Sequence, residues 1–119
     1  MSRHRDFFDQ LAETVSARRP YPIADWFTED FRLHDPQMPN WPSGHEGARA
    51  MMDLFRALEG AVHFEALDVI EDGDRAAVRW RLSATRGGER LHSSIMSMYR
   101  FEGGRIAEDW GITFRADWP

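Results

Sequence analysis

The hydrophobic period of this chain changes once, at Gly60, and that change limits the fold more than any other feature. Before it, apolar residues recur at helical spacing. Phe8, Leu11, Ala12 and Val15 form one stripe in a helix expected over Ser2 to Ala17, with Ser2 placed to cap it, Asp6 in its first turn and Arg18-Arg19-Pro20 as its stop. A short helix is expected from Pro22 to about Thr28, then an extended piece from Phe31 to His34. A third helix carries Ala48, Met51, Met52, Phe55 and Leu58, opened by the capping-box pattern Ser43-Gly44-His45-Glu46 and stopped at Gly60. Pro36, Pro39 and Pro42 stiffen the loop in front of it.

After Gly60 apolar and polar residues alternate. Strands are expected at roughly Ala61–Ile70, Arg75–Thr85, Arg90–Phe101 and Arg105–Arg115. The separators Asp72-Gly73-Asp74, Gly87-Gly88 and Gly103-Gly104 are short turn formers, so these strands form an antiparallel meander. Helices first and a meander after them describe an α+β fold with helices on one face of a curved sheet. A length of 119 residues gives one domain, 1–119, with a single core.

Alternation also assigns faces. In the second strand Val78, Trp80 and Leu82 point to the core, and Arg79, Arg81 and Ser83 point away. In the third, Leu91, Ser93, Ile95, Ser97, Tyr99 and Phe101 make the better core face, while His92, Met96 and Met98 lie opposite. Serines within an apolar face indicate a cavity. The last strand stays open. Its apolar set, Ile106, Glu108, Trp110, Ile112 and Phe114, either faces the core or faces a second subunit, and in the latter case Asp109, Gly111 and Thr113 line the concave side.

Composition narrows the chemistry. All 15 basic residues are arginine, and cysteine is absent as well as lysine. That excludes lysine Schiff bases, phosphate-loop lysines, thiolate nucleophiles, disulfides and cysteine-ligated metals. A net charge of −5 argues against nucleic-acid binding. The histidines His4, His34, His45, His63 and His92 show no metal-ligand spacing, so no metal and no cofactor is expected. No apolar stretch is long enough for a signal peptide or a membrane span, which makes a cytoplasmic location without membrane association the expectation.

Several segments resemble one family. His34-Asp35-Pro36 before the proline-rich loop, Gly44-His45-Glu46-Gly47-Ala48-Arg49, Glu71-Asp72-Gly73-Asp74-Arg75, and the run from Tyr99-Arg100-Phe101 through Gly103-Gly104-Arg105-Ile106-Ala107-Glu108-Asp109-Trp110 are similar to the SnoaL-like polyketide cyclases. That family lies within the nuclear-transport-factor-2-like superfamily, and the resemblance runs from about Trp26 to Thr113. It implies a cone: a curved antiparallel sheet wrapped around a long helix, with N-terminal helices closing a pocket. It also implies a homodimer through the convex sheet face, where Trp110, Ile112 and His92 would sit. Members include isomerases, hydrolases, cyclases and binding proteins without catalysis, so the fold leaves the activity open.

Residue by residue, Asp35 matches the general base of the ketosteroid isomerases in this superfamily. The oxyanion-hole positions of those enzymes fall near Leu11 and at Ser97, which argues against steroid isomerisation. The catalytic aspartate of the cyclases falls at Gly111, with Asp109 two residues earlier on the same face. Asp35, Asp109 and His34 are therefore the catalytic candidates. Trp80, Tyr99, Ser97, Met52, Phe55 and Trp41 are the candidates for contact with a small hydrophobic molecule. Two readings follow: a cofactor-free acid–base enzyme on a hydrophobic, polyketide-like carbonyl compound, or a dimeric binding protein for an apolar ligand.

Overall fold

The computed structural model describes residues 3–119, so Ser2 and its capping role lie outside the described residues. Helix α1 (Arg3–Ser16) buries the predicted stripe of Phe8, Leu11, Ala12 and Val15. It ends where Arg18 enters the left-handed region (φ 55°), with the Arg18 amide bonded to the Val15 carbonyl and the Arg19 amide to that of Thr14. A side chain in that conformation costs about 1–2 kcal/mol. The Arg18 guanidinium offsets it by donating to the carbonyls of Leu58 and Gly60 at 2.8 and 2.9 Å.

Helix α2 (Ile23–Trp26) is shorter than predicted, because Phe27 already begins strand β1 (Phe27–His34). Phe27 and Phe31 are both fully buried, and pairing with the last strand starts at Phe27, so tertiary packing overrides the local helical pattern. Helix α3 (Gly44–Asp53) starts as expected and passes into a 3-10 turn, Leu54–Ala57. Ser43 has the extended conformation of a cap, yet its hydroxyl makes no capping bond. Gly60 is not the helix stop. With φ 66° it lies inside strand β2 (Glu59–Asp72), facing the Thr85 side chain at an irregularity in the strand pairing.

Strands β3 (Arg75–Arg86), β4 (Glu89–Glu102) and β5 (Arg105–Phe114) complete the meander, which is antiparallel throughout. The sheet order is β1-β5-β4-β3-β2, and β1 adds to it parallel to β5. The concave face holds the predicted core set: Val78, Trp80 and Leu82 are each nearly inaccessible. Among the described residues no helix is long and apolar enough to cross a membrane.

Both sheet edges are covered. Along β2, the Ser16 hydroxyl accepts from the Phe64 amide at 2.9 Å and the Arg5 guanidinium donates to the Ala66 carbonyl at 2.8 Å, so α1 occupies polar groups that an edge strand leaves open. Along β1, α3 packs with His45 Nε2 2.9 Å from the Phe27 carbonyl. His45 is thus a half-buried strut. Beyond β5 the C-terminal tail crosses the convex face: Asp117 pairs with Arg81 at 2.9 Å, Trp118 Nε1 donates to the Trp80 carbonyl at 2.8 Å, and the Arg79 guanidinium lies over the Trp118 ring.

Gly47 seats the proline-rich loop on α3. A Cβ there would stand 1.7 Å from the Pro42 carbonyl oxygen, while Trp41 Nε1 donates to the Gly47 carbonyl at 2.9 Å. Gly47→Ala is expected to lower unfolding stability by roughly 2 kcal/mol through overpacking, measured by urea denaturation. A variant as stable as the parent would show that the loop yields freely.

Candidate active site

One extra residue decides what the cavity contains. Phe101 pairs with Ile106 and Arg100 with Glu108, so Ala107 is a bulge between them and the alternation of β5 inverts there. Ile106 faces the core before the bulge; after it Asp109, Gly111 and Thr113 face the concave side. Glu108, Trp110, Ile112 and Phe114 turn to the convex face. The concave placement of Asp109, Gly111 and Thr113 given in the second sequence reading therefore holds beyond the bulge.

The concave face encloses a cavity of about 280 Å³, closed by α1, α3 and the 3-10 turn. Trp80, Tyr99, Ser97, Met52 and Phe55 all line it, together with Asp35 and Asp109. The aromatic wall is rigid. Trp80 stacks on Phe64 with ring centroids 4.4 Å apart and meets Phe8 edge-on at 5.6 Å. Its Nε1–H donates to the Tyr99 hydroxyl oxygen at 3.1 Å. Trp80 and Tyr99, expected as stacking surfaces, thus form a hydrogen-bonded pair, which no sequence pattern announces.

Asp109 is 6% exposed, and its Oδ1 has no hydrogen-bond partner among the described residues. Burial, reinforced by the nearby charge of Asp35, pushes its carboxyl up to about 7. Burial, with Asp109 adding to it, also raises the Tyr99 phenol well above its ordinary value, so the phenol keeps its proton. Gly111 supplies the room. A Cβ there would stand 3.0 Å from Ser97 Oγ and 3.3 Å from Asp109 Oδ1.

Asp35 lies where the cavity meets an apolar groove on the outer face, and it borders both. Its Oδ1 accepts from the Gln37 amide at 2.8 Å, so it also shapes the turn into the proline-rich loop. Two catalytic or binding candidates fall elsewhere. His34 is on the convex side, because neighbours in an extended strand point oppositely; it stacks on Trp110 and sits 2.8 Å from Glu108 Oε2. Trp41 does not line the cavity, since its indole is spent on the start of α3.

Glu108 also accepts from Arg100 at 2.8 Å, and that hydrogen bond, with the one from His34, holds its carboxyl below the usual range. His92 is on the outer face beside Ser83. His4, which sequence left without a role, is buried against Phe101 with Nε2 2.8 Å from the Gly73 carbonyl. Arg86 and Arg115 reach the cavity rim and were not candidates, although continuing the inward alternation of β3 and β5 leads to both. Among the described residues, no group of three or more His, Asp or Glu side chains is arranged to hold a metal ion.

A helix-backed curved sheet thus encloses an apolar cavity that holds a buried acid. The SnoaL-like domain profile matches residues 5–109, and the chain belongs to that family. Solved structures share its fold. A candidate polyketide cyclase from Acidithiobacillus ferrooxidans superposes with a TM-score of 0.79 at 22% identity, covering 96% of this chain and 89% of that one. An NTF2-like protein from Anabaena variabilis gives 0.78 at 13% identity over 96% and 88%. IdmH, a candidate polyketide cyclase from Streptomyces antibioticus, gives 0.72 at 20% identity over 91% and 89%. No curated protein matches by sequence.

The raised carboxyl of Asp109 has a consequence for stability. The unfolded chain releases this proton near the ordinary carboxylate value of about 4, the folded one only near 7, so ionisation favours unfolding. This contribution weakens the fold as pH rises from about 4 to 7 and is constant above. Asp109→Asn is therefore expected to be more stable than the parent at about pH 8, by roughly 2–4 kcal/mol, with the gap closing toward pH 4. Denaturant titrations across that range check it, and a gap independent of pH would contradict it.

Proposed function

We propose that this protein is a cofactor-independent acid–base enzyme acting on a hydrophobic, polyketide-like carbonyl compound. The observation that carries this reading is the unpartnered, buried Asp109 carboxyl, held near neutrality inside an apolar cavity. Asp109 takes a proton from the carbon next to the carbonyl. The Tyr99 hydroxyl, which accepts from Trp80 and so becomes a better donor, polarises the carbonyl oxygen together with Ser97. Asp35 adds charge that keeps Asp109 basic, and the aromatic wall excludes water.

Acetylnaphthalene in deuterated buffer tests this, with exchange of its methyl-ketone protons followed by NMR. Exchange is expected to accelerate as pH rises through about 7, because the ionised carboxylate is the base. Asp109→Asn is expected to slow it by about 10²–10⁴-fold. The competing reading is a binding protein, favoured by Gly111 at the position where the cyclases carry their catalytic aspartate. A ketone that binds but exchanges no faster than in buffer would establish that reading instead.

The proposal includes a homodimer through the convex face, where Met96, Met98, Ile112 and Phe114 are 42–54% exposed around Trp110. His92 lies on the same face. Light scattering at micromolar concentration is expected to give twice the mass of one chain, and Ile112→Asp is expected to shift it toward the monomer. A monomeric parent protein would overturn the dimer.

A further inference from the structure

The arginines on the two faces of the sheet are used differently. On the convex side Arg79 pairs with Asp68, Arg81 with Glu65 and Asp117, and Arg100 with Glu108 and Glu102. On the concave side two arginines border the cavity, Arg86 at the end of β3 and Arg115 just beyond β5. Both are exposed, and neither guanidinium has an ion pair or a hydrogen bond with the described residues. The remaining charged residues of the lining are Asp35 and Asp109.

These four charges are sorted along the cavity. Asp109 faces Tyr99 across the β4–β5 pair, and Asp35 follows His34, whose strand partner is Trp110. Asp109 is opposite Leu33, so Asp35 stands level with Gly111, two residues beyond Asp109 and still four short of Arg115. Arg115 is six residues farther along β5 than Asp109, about 20 Å at the usual strand rise. Arg86 lies at the same end, opposite Glu89 in the β3–β4 hairpin. The cavity is acidic at one end, apolar through its middle and cationic at its rim.

We propose that Arg86 and Arg115 select ligands that carry a carboxylate or similar anion at the end remote from the reacting carbonyl. This rests on the cavity reading above and narrows it to a substrate class: an apolar ring or chain with a ketone at one end and an anionic group at the other. The unpaired guanidiniums hold the anion at the rim, and the orientation that results delivers the carbonyl end to Asp109. The reverse orientation brings the anion against two carboxylates and is disfavoured. Arg86 and Arg115 are thus positioning and specificity residues, outside the reacting centre.

The test compares an acetylnaphthoate, with ketone and carboxylate at opposite ends of the ring system, with acetylnaphthalene, which lacks the carboxylate. Isothermal calorimetry at low salt is expected to show the parent protein binding the acetylnaphthoate about tenfold more tightly, the value of one solvent-screened charge-assisted contact. In the double variant Arg86→Gln/Arg115→Gln that preference is expected to vanish while acetylnaphthalene binds as before. Arg86→Lys/Arg115→Lys is expected to keep most of it, and added salt to erode it in the parent. Equal affinities in the parent, or a preference that survives in the glutamine variant, would overturn the anion selection alone. If neither ketone binds, the cavity reading falls with it.

Discussion

The bulge at Ala107 is the constraint on which the site depends. A strand has two faces, and a single extra residue exchanges them. Without it, Glu108 would lie in line with Ile106 and point into the core, while Asp109 would join the convex surface. With it, a carboxylate already satisfied by Arg100 and His34 stays outside, and one without a partner is carried inside. The energetic asymmetry is plain. The outer carboxylate is stabilised as an anion by its donors, and the inner one is stabilised as a neutral acid by the loss of water.

The rest of the architecture protects that arrangement. The Phe8, Phe64 and Trp80 rings form a stiff wall, and the Trp80 indole is committed to Tyr99. Helix α1 seals one sheet edge and α3 the other, so the sheet curves around the cavity with its margins occupied. Gly111 performs a different task from the turn glycines. Its missing side chain is the space into which the Asp109 carboxylate and the Ser97 hydroxyl project.

Much of the fold was legible because it rests on local signals. The period change at Gly60, the stripe of α1 and the paired glycines of the hairpins all act over a few residues, and the observed strands follow them. What was not legible involves long-range pairing. Phe27 and Thr28 read as the end of a helix, yet the parallel partner β5, distant in sequence, draws them into a strand. The faces of β5 stayed open for the same reason, since a bulge is defined by the partner strand. Asp35 was named from the family resemblance and Asp109 from that resemblance together with strand alternation, and both border the cavity. His34, a neighbour of Asp35 in an extended strand, falls on the opposite face. Trp41 falls outside the cavity because an aromatic in a loop near a pocket has no sequence mark telling a wall from a strut. Arg86 and Arg115 were overlooked because arginines at strand ends look like ordinary solvent-facing residues.

Trp80 belongs to two surfaces at once. Its ring is part of the cavity wall, and its carbonyl receives the indole of Trp118 from the tail lying across the outside of the sheet. At this residue of β3 the sheet carries one hydrogen bond toward the cavity and one toward the outer face. Anything that lifts the tail to reach the convex surface removes the outer of those two restraints. The interior and the exterior of the sheet are thus coupled at Trp80, as they are at Asp35, which borders both the cavity and the outer groove.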